Sequence, residues 1–337
     1  MEFVARAFSP AISEAHNVLV LGAAGFIGRW VSRRLCLAGA KPVLVVRNLA
    51  AAKQVFAEYQ IEGEIVQADV QRFDEITELI GDFKPDLVFN LAGYGVDRTE
   101  RDEETAYRIN AQLVETICKA MAVHRNSDWS GQQIVHVGSA LEYGEIGGNL
   151  AEDSAVNPTT LYGKSKLMGT NLLMQFCRKL GVKGITARLF TVYGSGEHDG
   201  RLLPSLLQAA KDGQPLPLTA GEQKRDFTFV EDVADGLLRL AVAESQPGEI
   251  VNLATGRLTT VHRFIETAAS ILNIPETNLQ FGAVPTRAEE MQHDPVTVDR
   301  LRRMIAWTPP TEIAEGIQQT VTQARCLRTQ ETLCVSS

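Results

Sequence analysis

Read from the N-terminus, apolar residues first gather at Val18-Leu19-Val20-Leu21, with a glycine directly after them. A short continuous apolar run closed by a turn residue predicts a strand buried on both faces. Ile27, Val31 and Leu35 then recur at steps of four, the spacing of one helical face, and predict a helix over Gly28–Leu37. The alternation repeats along the chain. Strands are predicted at Val43–Val46, Ile65–Val66, Asp86–Leu91, Gln133–Val137 and Gly184–Phe190. Helices are predicted at Ala50–Tyr59, Ile76–Ile80, Glu103–Val123 and Thr160–Leu180. Strands alternating with helices predict a parallel sheet covered on both faces, and the right-handed crossover rule favours a doubly wound α/β topology. After Thr191 the rhythm breaks. Pro204, Pro215, Pro217, Pro275, Pro285, Pro295, Pro309 and Pro310 punctuate the rest, which predicts a smaller mixed α/β lobe with long loops. Residues 1–16 read as a flexible leader, and there is no internal repeat.

Composition narrows the class without naming a function. The 337 residues carry 33 Lys+Arg against 41 Asp+Glu, a formal net charge of −8. An acidic chain lacks the basic face that nucleic-acid binding wants. No apolar run is long enough to span a bilayer, and Met1 to Ala15 lacks the basic-then-apolar pattern of a secretory signal, so neither membrane nor export is expected. Five cysteines, Cys36, Cys118, Cys177, Cys326 and Cys334, form no metal-ligand spacing. An odd, scattered set predicts reduced thiols in a cytoplasmic protein and no metal site.

The first strand runs into Gly22-Ala23-Ala24-Gly25-Phe26-Ile27-Gly28 and then a helix. Gly22 permits the tight turn, Gly25 lets backbone approach a pyrophosphate, and Gly28 permits close helix–strand packing. The helix N-terminus offers amides and positive dipole to the anion. Placed between a buried strand and a helix, this glycine triplet predicts a dinucleotide site of the Rossmann type. Arg47 ends the second strand, where NAD-binding sites usually place a carboxylate for the ribose 2′-hydroxyl. An arginine there suits the 2′-phosphate of NADP, so NADP(H) is preferred and NAD(H) is the alternative.

Tyr162-Gly163-Lys164-Ser165-Lys166 opens the long helix after Pro158. Tyr162 and Lys166 lie one turn apart on a shared face, whereas Lys164 does not face Tyr162. A neighbouring ammonium lowers a phenol's pKa, and the hydroxyl can then exchange a proton with a carbinol oxygen during hydride transfer. Ser139 ends the fifth strand at the carboxyl edge of the sheet, where its hydroxyl could hold the reacting oxygen before Tyr162.

With these motifs the chain resembles the extended short-chain dehydrogenase/reductases that act on nucleotide-activated sugars. The resemblance runs from about Asn17 to Thr322. It also includes Asp69, Asn90-Leu91-Ala92-Gly93, Asn110, Arg188-Leu189-Phe190-Thr191-Val192-Tyr193-Gly194, Arg225-Asp226-Phe227-Thr228-Phe229-Val230-Glu231-Asp232-Val233, Arg287 and Trp307-Thr308-Pro309. It implies that Ser139, Tyr162 and Lys166 are the catalytic triad. Asp69 and Val70 would hold the adenine end of the cofactor. Leu91, Ala92 and Gly93 would line the path to the nicotinamide, with Asn110 and Phe190 also on the cofactor. Thr191, where many relatives have Asn, would face substrate with Arg225 and Arg287, the arginines that would grip the sugar nucleotide. A −8 chain that binds such a dianion is expected to gather Arg47, Lys166, Arg225 and Arg287 in one basic cleft. The helices Glu103–Val123 and Thr160–Leu180 resemble those of a four-helix dimer interface in relatives; their apolar residues could equally serve the monomer's core, and a homodimer is the expectation.

Departures from the family narrow the reaction. Sugar 4,6-dehydratases carry an acidic pair where this chain has Ala140 and Leu141, and 3,5-epimerase/4-reductase relatives carry a cysteine at the position of Leu141. Glu142 stands in the adjacent register and is expected to point elsewhere. Simple hydride chemistry at one carbon remains. The stretch Thr219–Phe227 and Phe281–Arg287, with Glu290 and Met291, resembles CDP-abequose synthase-like reductases. The expected activity is NADPH-dependent reduction of the C4 keto group of an NDP-4-keto-6-deoxyhexose. The alternative is an NAD-dependent nucleotide-sugar 4-epimerase. A non-catalytic NADP sensor would dispense with Tyr162 or Lys166, and both are present. The expected domains are a nucleotide-binding part at 17–190 and 227–258, a sugar-nucleotide lobe at 191–226 and 259–325, and a tail from 326.

Overall fold

The computed structural model describes Ile12 and residues 16–97, 99–124, 129–286 and 292–335, with side chains to residue 324. The strands β1 (Val18–Leu21), β2 (Val43–Val46), β3 (Glu64–Gln67), β4 (Leu87–Asn90), β5 (Ile134–Ser139) and β6 (Gly184–Leu189) lie where the apolar runs predict them. Short strands β7 (Thr191–Tyr193), β8 (Leu216–Pro217), β9 (Lys224–Arg225) and β10 (Phe227–Phe229) follow, then β11 (Glu249–Leu253). One seven-stranded sheet has the order β11-β6-β5-β4-β1-β2-β3. Leu19 pairs in parallel with Val43 on one side and Val88 on the other. The strand order reverses at β1, the switch point at which such sheets bind ligands. β1, β2 and β4 are buried at every residue, as a sheet covered on both faces requires. β3, at the edge, exposes Glu64 and Gln67 instead.

Three helices, α1 (Phe26–Leu37), α2 (Leu49–Tyr59) and α3 (Phe73–Phe83), connect the first four strands. The helix expected over 103–123 is continuous but not uniform. It starts as α4 (Glu103–Tyr107), capped by Asp102 on the Thr105 amide, widens into a π turn at Arg108–Gln112, and continues as α5 (Leu113–Val123). α6 (Leu161–Leu180) is the other long helix. Leu113, Val114, Ile117 and Met121 of α5 and Leu173 and Phe176 of α6 join Leu19, Leu21, Val43 and Val88 in one core. The apolar stripes of both helices therefore serve the chain's own interior. Outward, α6 turns Lys164, Met168, Asn171, Gln175 and Arg178. Cys118 and Cys177 are buried free thiols in this core, and Cys36 is half-buried.

The chain divides into two compact units. The first comprises residues 1–138, 165–187 and 237–250, and the second 139–164, 188–236 and 251–337. The expected boundaries follow strands, whereas the units follow packing, and they part most at 139–164. The second unit holds far more helix than its prolines suggest: α7 (Leu202–Asp212), α8 (Val230–Ala241, which runs on into the first unit), α9 (Val261–Leu272), α10 (Asp299–Ile305) and α11 (Ile313–Val335). Three of these prolines fall at helix starts. Pro204 sits in the first turn of α7, where no helical amide bond is lost, and Pro309 and Pro310 precede α11. The tail expected from 326 continues α11. Two further strands, β12 (Thr259–Thr260) and β13 (Leu279–Gln280), pair with β9 and β8. Among the described residues no helix is long and apolar enough to cross a membrane.

The second unit packs around stacked Phe227 and Phe264, with Tyr193 edge-on to both. Buried Asp226 binds the loop after β11, accepting the Thr255 amide at 2.9 Å and the Gly256 amide at 2.8 Å. Glu197 is buried in the loop before α7, its carboxylate 3.5 Å from Arg201 Nε. Burial pushes its carboxyl up to about 7 despite that partner. The unfolded chain returns it to about 4.3. Between these values the native state holds a proton that the unfolded state has lost, so stability falls as pH rises through about 7. Glu197→Gln should remove this fall and exceed wild type above about pH 8 by up to roughly 3 kcal/mol. Denaturant midpoints of both proteins between about pH 5 and 9 check this, and parallel curves refute it.

Candidate active site

The glycine turn is built by one backbone contact. A side chain on Gly28 would put its Cβ 2.0 Å from the Gly22 carbonyl oxygen, so only glycine lets α1 start against the end of β1. Gly25 N–H donates to Gly22 O at 3.0 Å and Arg29 N–H to Gly25 O at 3.0 Å. The amides of Phe26, Ile27 and Gly28, the first of the helix, have no earlier helical carbonyl to bond. Arg29, unremarked in the sequence, turns its guanidinium back onto the Ala24 and Gly25 carbonyls, each at 3.1 Å. The cradle thus presents free amides and a flanking cation to an anion, and its residues fit a dinucleotide pyrophosphate. Arg47 is exposed directly after β2, and the Gln67 amide group donates to its carbonyl at 3.1 Å. Asp69 and Val70 are half-buried after β3, and one Asp69 oxygen accepts the Gln71 amide at 3.0 Å.

Leu91, Ala92 and Gly93 leave β4 toward the π turn. There Asn110, fully buried, accepts the Tyr94 amide at 3.0 Å and donates to the Tyr94 carbonyl at 2.7 Å and to Ser165 Oγ at 2.9 Å. These bonds tie the segment after β4 to α6, so Asn110 acts on this region through Tyr94 and Ser165. Lys166 is buried and donates from Nζ to the Val137 carbonyl at 3.0 Å. A Cβ on Gly93 would lie 3.5 Å from that Nζ. Beneath, His136 Nδ1 accepts from Asn90 Nδ2 at 3.1 Å. Burial, and then the charge of Lys166, hold this imidazole well below its ordinary pKa, so it is neutral.

In the second unit, Ser139 opens a short 3-10 turn, Ala140–Glu142. Ser139 Oγ accepts the Leu141 amide at 3.2 Å. Thr160 caps α6 by accepting the Gly163 amide at 3.0 Å. A Cβ on Gly163 would meet the Leu141 carbonyl oxygen at 2.3 Å, so α6 starts in backbone contact with the turn that Ser139 opens. Tyr162, half-buried, stands in that first turn of α6, and Lys166 follows it one turn later. Glu142 is buried and accepts from Arg188, with Nε to Oε2 at 2.9 Å. Sequence spacing gave no sign of this pair, because its members are far apart in the chain.

Phe190 is half-buried against Ala254, Val296 and Val298, with the His293 ring edge-on at 6.1 Å. Thr191 donates its amide to the Asp226 carbonyl at 3.0 Å. Arg225, in β9, is half-buried and pairs by its backbone with Thr259. Arg287, Glu290 and Met291 lie outside the described residues. Arg47 and Lys166 belong to the first unit and Arg225 to the second. Gly28→Ala should weaken dinucleotide binding by about 10-fold or more while circular dichroism stays native, since a methyl group must push α1 off the turn. Titration of bound-dinucleotide fluorescence measures this, and unchanged affinity rules it out.

Residues 18–254 match the model of the NAD dependent epimerase/dehydratase family. The chain is 28% identical over 315 residues to a dTDP-6-deoxy-L-talose 4-dehydrogenase (NAD(P)(+)) of Kitasatospora kifunensis, covering 90% of this chain and 94% of that protein. It is 28% identical over 318 residues to a UDP-glucose 4-epimerase of Mycolicibacterium smegmatis, covering 90% and 97%. Among solved structures, an epimerase of Methanothermobacter thermautotrophicus superposes with a TM-score of 0.81 at 24% identity, covering 95% of this chain and 96% of that one, which bears on fold alone. The chain is an enzyme of the NAD dependent epimerase/dehydratase family, whose relatives modify nucleotide sugars with a nicotinamide cofactor.

Proposed function

We propose that this enzyme reduces the C4 keto group of a nucleotide-activated 4-keto-6-deoxyhexose with NADPH. The observation that carries the reading is the turn after β5. It joins Ser139 to the helix of Tyr162 and Lys166, and it offers Ala140 and Leu141 where elimination of water would need acids. The 4-dehydrogenase relative, named for oxidation at C4 of a 6-deoxyhexose nucleotide, supports the same carbon and sugar class. Arg47, exposed after β2, supports NADP over NAD because a guanidinium pairs with a 2′-phosphate.

The amides of the α1 N-terminus would hold the pyrophosphate, Asp69 the adenosine end and Lys166 the nicotinamide ribose. The bound dinucleotide supplies the hydride. Tyr162 gives its phenolic proton to O4 as negative charge grows there, since a phenol close to an ammonium is a stronger acid than a free one. Ser139 Oγ has one lone pair occupied by the Leu141 amide, so its hydrogen can be donated to O4 and hold it before Tyr162. Arg225 would neutralise a substrate phosphate.

Purified protein incubated with NADPH and a panel of NDP-4-keto-6-deoxy sugars should lose absorbance with at least one of them. If none is reduced, while an NDP-hexose is epimerised without added cofactor, the UDP-glucose 4-epimerase relative is the better guide. Tyr162→Phe should cut turnover by about 100-fold or more with dinucleotide affinity nearly intact, and unchanged turnover refutes the assignment. Arg47→Ala should raise the Kd for NADPH by about 10-fold while leaving NADH unaffected, and an equal effect on both cofactors excludes a 2′-phosphate contact.

A further inference from the structure

Glu142 and Arg188 are charged side chains that are 0% and 2% exposed. Burial of such a pair costs about as much as the attraction returns, and an apolar pair of similar volume often serves stability as well. What the pair supplies is direction. Arg188 Nε donates to Glu142 Oε2 at 2.9 Å, and the other oxygen, Oε1, accepts the Ser139 amide at 2.8 Å. Ser139 Oγ reciprocates by accepting the Leu141 amide at 3.2 Å. The guanidinium lies 4.4 Å from the centre of the Tyr143 ring, whose hydroxyl donates to Asn252 Oδ1 at 2.8 Å. Asn252 is fixed in turn by Glu152 Oε1, which accepts its amide at 2.9 Å, and by the Leu150 carbonyl at 3.0 Å from Nδ2. A buried polar chain therefore runs from Asn252 to the backbone of Ser139.

We propose that Glu142 and Arg188 are positioning residues for the reaction, locking the Ser139 turn so that the serine hydroxyl is offered to the reacting oxygen in one orientation. The inference rests on the hydride-transfer reading of Ser139 and Tyr162. Both carboxylate oxygens are needed as acceptors, one for a backbone amide and one for the guanidinium. A glutamine in this place has a single acceptor oxygen, and its NH2 group would face either the Ser139 amide or Arg188 Nε, donor against donor. The lock then opens on one side with side-chain volume unchanged. The acid in this turn thus acts through Ser139 rather than on the sugar.

Two variants test the proposal. Glu142→Gln retains volume. The double variant Glu142→Leu/Arg188→Met removes both charges together, so no unpaired ion is left inside if the single variant does not fold. NADPH affinity should stay within about 2-fold of wild type in both, because the phosphate turn is untouched. With the sugar that wild type turns over, kcat should fall about 10- to 100-fold with KM within about 3-fold, the signature of misplaced chemistry rather than lost binding. The primary isotope effect with 4-deuterated NADPH should rise as hydride transfer becomes limiting. Amide hydrogen exchange at Ser139 should quicken about 10-fold or more, independently of any substrate. A folded double variant with wild-type kcat, or with wild-type exchange at Ser139, overturns the proposal. If wild type turns over no nucleotide sugar, the functional reading fails, and exchange at Ser139 still decides whether Glu142 locks the turn.

Discussion

Two backbone contacts that leave no room for a side chain determine where two helices of this enzyme begin. α1 starts against the Gly22 carbonyl at Gly28, and α6 starts against the Leu141 carbonyl at Gly163. Each contact presses the N-terminal end of a helix against the strand or turn before it. At the first, unpaired amides gather where an anion can meet them. At the second, Tyr162 is brought beside the turn that carries Ser139. One helical turn later Lys166 is carried inward to the Val137 carbonyl, and Ser165 between them is held by Asn110.

Net charge says little about this arrangement. The chain is −8, yet it buries two cations, each on an oxygen that the fold supplies: Lys166 on a strand carbonyl and Arg188 on Glu142. His136 illustrates the consequence. Buried with Asn90 on Nδ1, it remains neutral because burial and the nearby ammonium both oppose a second positive charge. The positive charge of the site is therefore concentrated on lysine and arginine rather than shared with histidine.

The sheet was legible because its strands are runs of about four apolar residues ended by turn residues, a signal that survives without context. The glycine turn and the placing of Tyr162 and Lys166 one turn apart on α6 were legible because both depend on neighbouring residues alone. The π turn at Arg108–Gln112 was not, since its residues continue a helical apolar pattern and the extra residue shows only in the backbone. β11 was missed because Glu249 and Asn252 interrupt its apolar run. The helices of the second unit were obscured by prolines that mark their ends rather than their absence. The bonds of the Asn110 side chain to Tyr94 and Ser165 join residues far apart in the chain, and only the fold shows them. Glu142 and Arg188 stand on different elements, and no spacing rule connects them.

The same pair bears on which chemistry the site can support. Elimination of water or inversion at a carbon beside the keto group requires a group that takes a proton from carbon, and a carboxylate does this only with an oxygen free to accept it. In the turn after β5 the positions for such a group hold Ala140 and Leu141, and the neighbouring acid has both oxygens occupied. Freeing one would leave either a buried amide or a buried guanidinium unsatisfied, at a cost of several kcal/mol. With its acidic residue held as a brace, the turn after β5 offers no carboxylate oxygen of Glu142 free to take a proton from carbon.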